Sequence, residues 1–559
     1  MKKRVLAIAM TLAMTLSLLP VSALAVEGET PEAETQPPVS TNELNENADA
    51  NDVEITVDDN DVKIDEDTQI TVGDSVENPV AMIEDVGYAT LEEAFEKAAE
   101  GATIQMQKDT TLNGAINVTK DITLDLNGKT ITSDSSARWA FAVGTSGVTF
   151  TIDDTATGGT IKSARTDNSN VIVVSAGNLV VKNGTLENNW YVVYVSQSGT
   201  ATIEGGTLKS KVASALSTNG SSEGEEDYSG NAVMNVKGGH LISKQDVTIY
   251  VPAGTLKVSG GTIEGCTAIY VKSGTTSITG GTIKGTGAKK GYQYVGGGCA
   301  PTGDAVVIDA CGYPNGDPAI EISGGTFESE NASAVADYQH NDNKAKEILV
   351  TGGTFDSDVS KYIPSGMKQE GEEVVIDNEK AVASVNGVGY DDLQEAIKNA
   401  GCGDTVKLLK ETTSETPITI SEGQNFTLDL GGNTLTVTGT QEVQDAQAFG
   451  EGKVTQTAIA NNGTLTIANG TIITTADCNS ITNTGTLKIT QDTVLSNSYG
   501  TYNGRNLIVN LGGTVTTAGQ LTSTANNGIW TYGGEIAVTG GTISTTHYQD
   551  WSNCASGNT

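Results

Sequence analysis

Asp153 and Asp154 stand side by side between Ile152 and Thr155-Ala156-Thr157-Gly158. Cleavage of a glycosidic bond with inversion requires one carboxylic acid and one carboxylate, so the pair is of the right kind. The residues after it are turn formers, whose short side chains hydrogen-bond nearby backbone, and a solvated turn accounts for the pair equally well. Elimination at a uronic acid needs instead a strong base beside a calcium ion held by clustered carboxylates. For that the chain offers little arginine: beyond Arg4 there are Arg138, Arg165 and Arg505. His240, His340 and His547 are far apart, which gives a histidine-based metal site or triad little to draw on. Glu223, Glu225, Glu226 and Asp227 cluster without the alternation of a calcium loop and read as a hydrated insertion. The reading is of no catalytic residue, with Asp153 and Asp154 as the candidates to test, and of no metal and no cofactor.

The six cysteines, Cys266, Cys299, Cys311, Cys402, Cys478 and Cys554, are scattered without C-x-x-C spacing, which argues against a disulfide framework or a zinc site. Cys299 and Cys311 flank a Gly/Pro-rich insertion and either close it as a disulfide or remain thiols. Aromatic residues give the better binding lead. Tyr194, Tyr250, Tyr270 and Trp530 each precede a Gly-Gly-Thr by about ten residues, a spacing that stacks them in one column of a repeat structure. One reading is internal stacking. The other is an exposed strip against which sugar rings pack, extended by Trp190, Tyr191 and Trp551, with Asn/Thr-rich faces supplying hydrogen bonds. Periodicity does not say which side the rings face.

The element that must position these residues is a recurring phrase: Gly205-Gly206-Thr207, Gly260-Gly261-Thr262, Gly280-Gly281-Thr282, Gly324-Gly325-Thr326, Gly352-Gly353-Thr354 and Gly540-Gly541-Thr542. Each follows an alternating stretch such as Thr255-Leu256-Lys257-Val258, which reads as a half-buried strand entering a glycine turn. Steps from Thr185 to Thr207, from His240 to Thr262 and from Thr262 to Thr282 are roughly 20 to 22 residues, one coil of a parallel β-solenoid about 70 Å around. His240 fills the slot threonine usually takes. The longer gap from Thr282 to Thr326 is expected to be a loop inserted at a corner.

A larger duplication underlies the short one. Val86-Gly87-Tyr88 through Phe95 is answered by Val388-Gly389-Tyr390 through Ile397, and Thr123-Leu124-Asp125-Leu126-Asn127-Gly128 by Thr427-Leu428-Asp429-Leu430-Gly431-Gly432. Thr90 with Glu93, and Asp392 with Glu395, have capping-box spacing, so each copy opens on a short helix that covers the first coil. The expected organisation is a signal peptide over 1–25, an acidic flexible spacer over 26–79, and β-helix modules over 80–378 and 379–559. Lys2-Lys3-Arg4, the apolar run Val5–Leu19 and Ala23-Leu24-Ala25 form the leader signature. Its removal takes the formal net charge from -37 to -40, which disfavours nucleic acid and anionic lipid as partners. No other stretch is long and apolar enough for direct membrane insertion.

Tyr88 through Ala94, Thr103-Ile104, Ile122 through Ile131, their counterparts Tyr390 through Ala396, Asp404 through Lys410 and Phe426 through Leu435, and the Gly-Gly-Thr phrases together resemble the pectin-lyase-like right-handed β-helix proteins of gut Gram-positive bacterial surfaces. The resemblance covers most of residues 80–559. It implies an all-β, right-handed parallel β-helix of two tandem modules with an adhesin-like, non-enzymatic role. Pectate lyases of this fold carry R-x-P-x-x-R, and the pectin hydrolases a D-D pair with G-H-G; neither arginine pattern nor G-H-G occurs here, and Gly238-Gly239-His240 varies the repeat phrase. The chain ends at Ser556-Gly557-Asn558-Thr559 without a sortase motif or wall-binding repeats, so it reads as a fragment or as indirectly attached. The functional expectation is a secreted or cell-wall-associated protein that binds polysaccharide or host glycoprotein. The alternatives are a polysaccharide lyase or glycoside hydrolase, and a structural stalk.

Overall fold

The computed structural model describes residues 76–134, 136–218, 229–340, 346–444, 454–497, 505–524 and 527–545. The expected signal peptide, nearly all of the expected spacer, the Glu223–Asp227 cluster, His547, Trp551 and Cys554 lie outside the described residues.

The described residues build an all-β parallel β-helix with three short strands to a coil. The repeat phrase sets the register. Thr130, Thr160, Thr185, Thr207, His240, Thr262, Thr282, Thr326 and Thr354 pair in sequence along one parallel ladder. The residue after each, from Ile131 through Leu208 and Ile283 to Phe355, is buried and fills the core of its coil. Phe327 and Phe355 stack at 4.7 Å between ring centres in the last two coils of this ladder. His240 occupies the threonine slot, its Nε2 3.6 Å from the Glu264 carboxylate.

Close stacking explains why the phrase holds two glycines rather than one. A Cβ on Gly260 would stand 2.4 Å from the Lys237 carbonyl oxygen of the preceding coil, and one on Gly205 2.2 Å from that of Lys182. The second glycine turns the chain through left-handed backbone, with φ +83° at Gly261, where a side chain is strained.

The duplication is visible in both entrances. Hairpins Ala81–Ile83/Val86–Tyr88 and Ala383–Val385/Val388–Tyr390 each lie antiparallel on the first solenoid strand of their copy. Helices α1 (Leu91–Lys97) and α2 (Leu393–Asn399) follow. Thr90 Oγ1 accepts from the Glu93 N–H at 3.1 Å, and Asp392 Oδ1 from those of Gln394 at 2.6 Å and Glu395 at 3.3 Å. Leu91, Ala94 and Phe95 of α1 are buried, Phe95 against Phe141 and Phe150, so the helix closes the apolar end that a solenoid leaves open. In the second copy Leu393, Ala396 and Ile397 are buried in the same way.

Buried hydrophobic residues form one cluster from Ala81 to Val374 and another from Ala383 to Ile529. Between them the hairpin Met367–Glu370/Glu373–Ile376 meets Thr354 antiparallel and ends the parallel ladder. In the second copy the three faces are separate sheets, and buried asparagines stack along one of them. Asn461 Nδ2 donates to Asn483 Oδ1 at 2.6 Å, and Asn483 Nδ2 to Asn510 Oδ1 at 2.8 Å.

If coil spacing demands the glycines, Gly261→Ala should lower unfolding stability by about 1–3 kcal/mol in urea titration. Gly291→Ala, with nothing within 4 Å of the added Cβ, should change it by less than about 0.5 kcal/mol.

Candidate functional site

Asp154 is buried, and both of its carboxylate oxygens are occupied by backbone: Oδ1 accepts from Gly128 N–H at 2.8 Å and Oδ2 from Gly159 N–H at 2.7 Å. Asp153 accepts from Asn183 Nδ2 at 2.9 Å and from the Asp154 N–H. The pair braces successive turns: the turn residues Thr155–Gly158 are exposed, as the solvated-turn reading has them, but Asp154 itself is buried. Asp125 does similar work: its carboxylate takes bonds from Thr155, Gln105 and Asn127 that outweigh burial and hold its pKa below the usual value.

No disulfide joins Cys299 and Cys311. Cys299 packs on an outward-facing cluster of Val247, Tyr250, Tyr270 and Val307, whereas Cys311 follows the strand Val306–Ala310 and is buried. Hydrogen bonds fasten the insertion instead. Carbonyl oxygens of Val295, Gly296 and Gly298 accept from Lys272 Nζ, Tyr313 Oη and Tyr250 Oη. Lys272 is fully buried, 3.8 Å from Asp309, whose oxygens also accept from Tyr270 at 2.9 Å and Tyr292 at 2.8 Å. Burial lowers the Lys272 pKa, opposed by Cys311, Asp309 and Cys299.

This insertion decides the fate of the aromatic column. Tyr194 pairs with Ser217, Ser217 with Tyr250, and Tyr250 with Tyr270 along one ladder. Tyr250 and Tyr270 are buried, meeting edge to face at 6.3 Å. They therefore offer no open face to a sugar: these two rings follow the internal-stacking reading and not the exposed strip. Trp530, 43% exposed, pairs with Val509 on a separate ladder of the second copy.

On the other side of Ser217 the column is only partly covered. Trp190, Tyr191 and Tyr194 are half-buried, with ring centres 6.1 Å apart for the first two and 5.8 Å for the second pair. Tyr191 continues a ladder through Asn170 to Trp139. The indole Nε1 of Trp139 and Oδ1 of Asn170, in adjacent coils, are shielded from solvent and have no hydrogen-bond partner among the described residues. Burial pushes the Tyr191 phenol up to about 12, with Cys299 and Asp246 adding to it.

Just before the corner that leads into this ladder lies a groove of about 230 Å³. Lys162, Lys209, Lys211 and Lys244 line it with Glu187, and the amides of Asn188, Asn189 and Gln245. The next residue, Asp246, has its carboxyl pushed up to about 6, by burial and against the pull of Lys290. The lysines escaped the sequence reading although the signal is present: Lys162 and Lys209 each stand two residues after a ladder threonine, and Lys211 and Lys244 four residues after Thr207 and His240.

No protein-family model and no curated protein matches this chain. Among solved structures, a mutant of a PL6 family alginate lyase is similar over 81% of this chain and 98% of its own, with 11% identity and a TM-score of 0.18.

Asp246 makes a pH prediction. Its folded pKa of about 6 exceeds the ordinary 3.8, so between those values the folded protein keeps a proton that the unfolded chain has released. Its contribution to stability is complete below pH 3.8 and declines as pH rises through 6. Asp246→Asn should flatten this decline, by no more than about 3 kcal/mol, in urea midpoints compared at pH 4.5 and pH 7.

Proposed function

We propose that this is an exported, adhesin-like β-helix protein that binds glycans without cleaving them, through the corner between the lysine-lined groove and the Trp139–Asn170–Tyr191 ladder. The observation that carries the reading is the cluster of half-buried rings beside the groove, Trp190, Tyr191 and Tyr194, with neighbouring centres 6.1 and 5.8 Å apart. A sugar ring presents an apolar face and a rim of hydroxyls, so rings to pack on and polar groups beside them are what it needs. The amides of Asn189 and Gln245 at the groove add further hydrogen-bonding groups. The cell surface or matrix is where such a protein would act, with polysaccharide or host glycoprotein as its partner.

One observation favours a second reading, in which the protein cleaves polysaccharide. Asp246, beside the groove and coupled to Tyr191, has a pKa of about 6, suited to general acid or base work near neutral pH.

The purified protein incubated with plant, mucin and bacterial polysaccharides separates these readings when retention and new reducing or unsaturated ends are read from the same wells. Retention without new ends is expected, and Trp190→Ala/Tyr191→Ala should weaken it by about tenfold. New ends that vanish in Asp246→Asn would establish cleavage. No retention on any polymer would leave a structural stalk.

A further inference from the structure

The chain carries 69 acidic against 32 basic residues, yet the groove reverses that sign. Four lysines converge there on one carboxylate, Glu187, and that carboxylate is engaged by Lys209 at 3.5 Å. Lys162, Lys211 and Lys244 are exposed and make no ion pair among the described residues. From this we infer that the site selects acidic glycans, polymers in which sugars bear carboxylate or sulfate groups. The inference rests on the glycan-binding reading and adds its ligand class.

Register supplies the geometry. Ser210 pairs with Ser243, so Lys211 and Lys244, one residue on, lie in adjacent coils about 4.8 Å apart in the stacking direction. Lys162 pairs with Glu187, and Glu187 with Lys209, placing those two lysines two coils apart. Cations repeating at coil intervals suit a linear polymer laid along the stack, its acidic groups meeting ammonium ions while its sugar faces meet the Trp139–Tyr191 ladder. Each ammonium is an exposed point charge that donates in any direction, which suits recognition of an acidic group without selecting between carboxylate and sulfate. The acidic remainder of the surface repels the same polymer, so binding should be confined to this corner.

The test compares the purified protein with a Lys162→Gln/Lys211→Gln/Lys244→Gln variant and a control, Lys257→Gln/Lys398→Gln/Lys488→Gln, which removes the same charge from exposed lysines elsewhere. Binding to hyaluronan (carboxylate only), heparin (sulfate-rich) and dextran (neutral) is measured by affinity electrophoresis at low and 0.3 M NaCl. The groove variant should bind the acidic polymers about tenfold more weakly, with dextran unaffected and the control within about twofold. Salt should weaken acidic-polymer binding to the wild type and matter less to the groove variant. Preference for hyaluronan or for heparin identifies the acidic group. Equal behaviour of the two triple variants, or dextran held as tightly as the acidic polymers, would overturn the inference while leaving glycan binding intact. Failure to bind any of the three polymers, extending to every polysaccharide of the broader panel, would overturn the glycan-binding reading and the inference together.

Discussion

Adjacent coils of this solenoid sit so close that backbone of one occupies the space where a side chain of the next would begin, and everything else in the structure is built on that distance. Strands spaced about 4.8 Å apart leave no room for a Cβ at the inner corner of a turn. The oxygens of Lys182, Glu204, Lys237 and Ser259 stand 2.2–2.6 Å from the positions such atoms would take on Gly205, Gly238, Gly260 and Gly280. Because each corner is fixed in this way, residues at equal offsets from it fall into columns. Buried Ile, Leu and Phe form the core column, and outward-facing residues form the columns that a partner can reach.

Much of this was legible in the residues, for a local reason. The requirement for glycine acts at each coil separately, so the phrase recurs and its spacing reports the register, including the place of His240. The turns after Asp125 and Asp429 show the same directness. Asn127 with Gly128, and Gly431 with Gly432, all adopt positive φ, and these residue types tolerate it. The helix entrances were legible because capping demands a particular side chain at a particular offset.

What was not legible depends on segments that come back from far along the chain. Alternation places Tyr250 and Tyr270 on the outer surface of their strands but cannot show that residues near Val295–Gly298 fold over them. That covering depends on Lys272, Tyr250 and Tyr313 reaching carbonyls 17 to 48 residues away. For the same reason the Cys299–Cys311 alternative could not be decided from spacing. The lysine groove is a different case, since its members look unrelated until the chain is written in register; then Lys162, Lys209, Lys211 and Lys244 fall at two fixed offsets. The Asn461–Asn483–Asn510 ladder is equally plain in register and equally hidden without it. The site thus joins a legible scaffold to outward residues whose exposure is settled elsewhere.

The central claim is that the fold gathers three lysines without ion pairs among the described residues, Lys162, Lys211 and Lys244, at one corner to hold an acidic polymer. Lysine acetylation footprinting by mass spectrometry, with and without saturating hyaluronan or heparin, tests it most directly. The account predicts protection concentrated at Lys162, Lys211 and Lys244, with Lys257, Lys398 and Lys488 labelled as in the free protein. Protection spread evenly over all exposed lysines, or centred away from the groove, would contradict it.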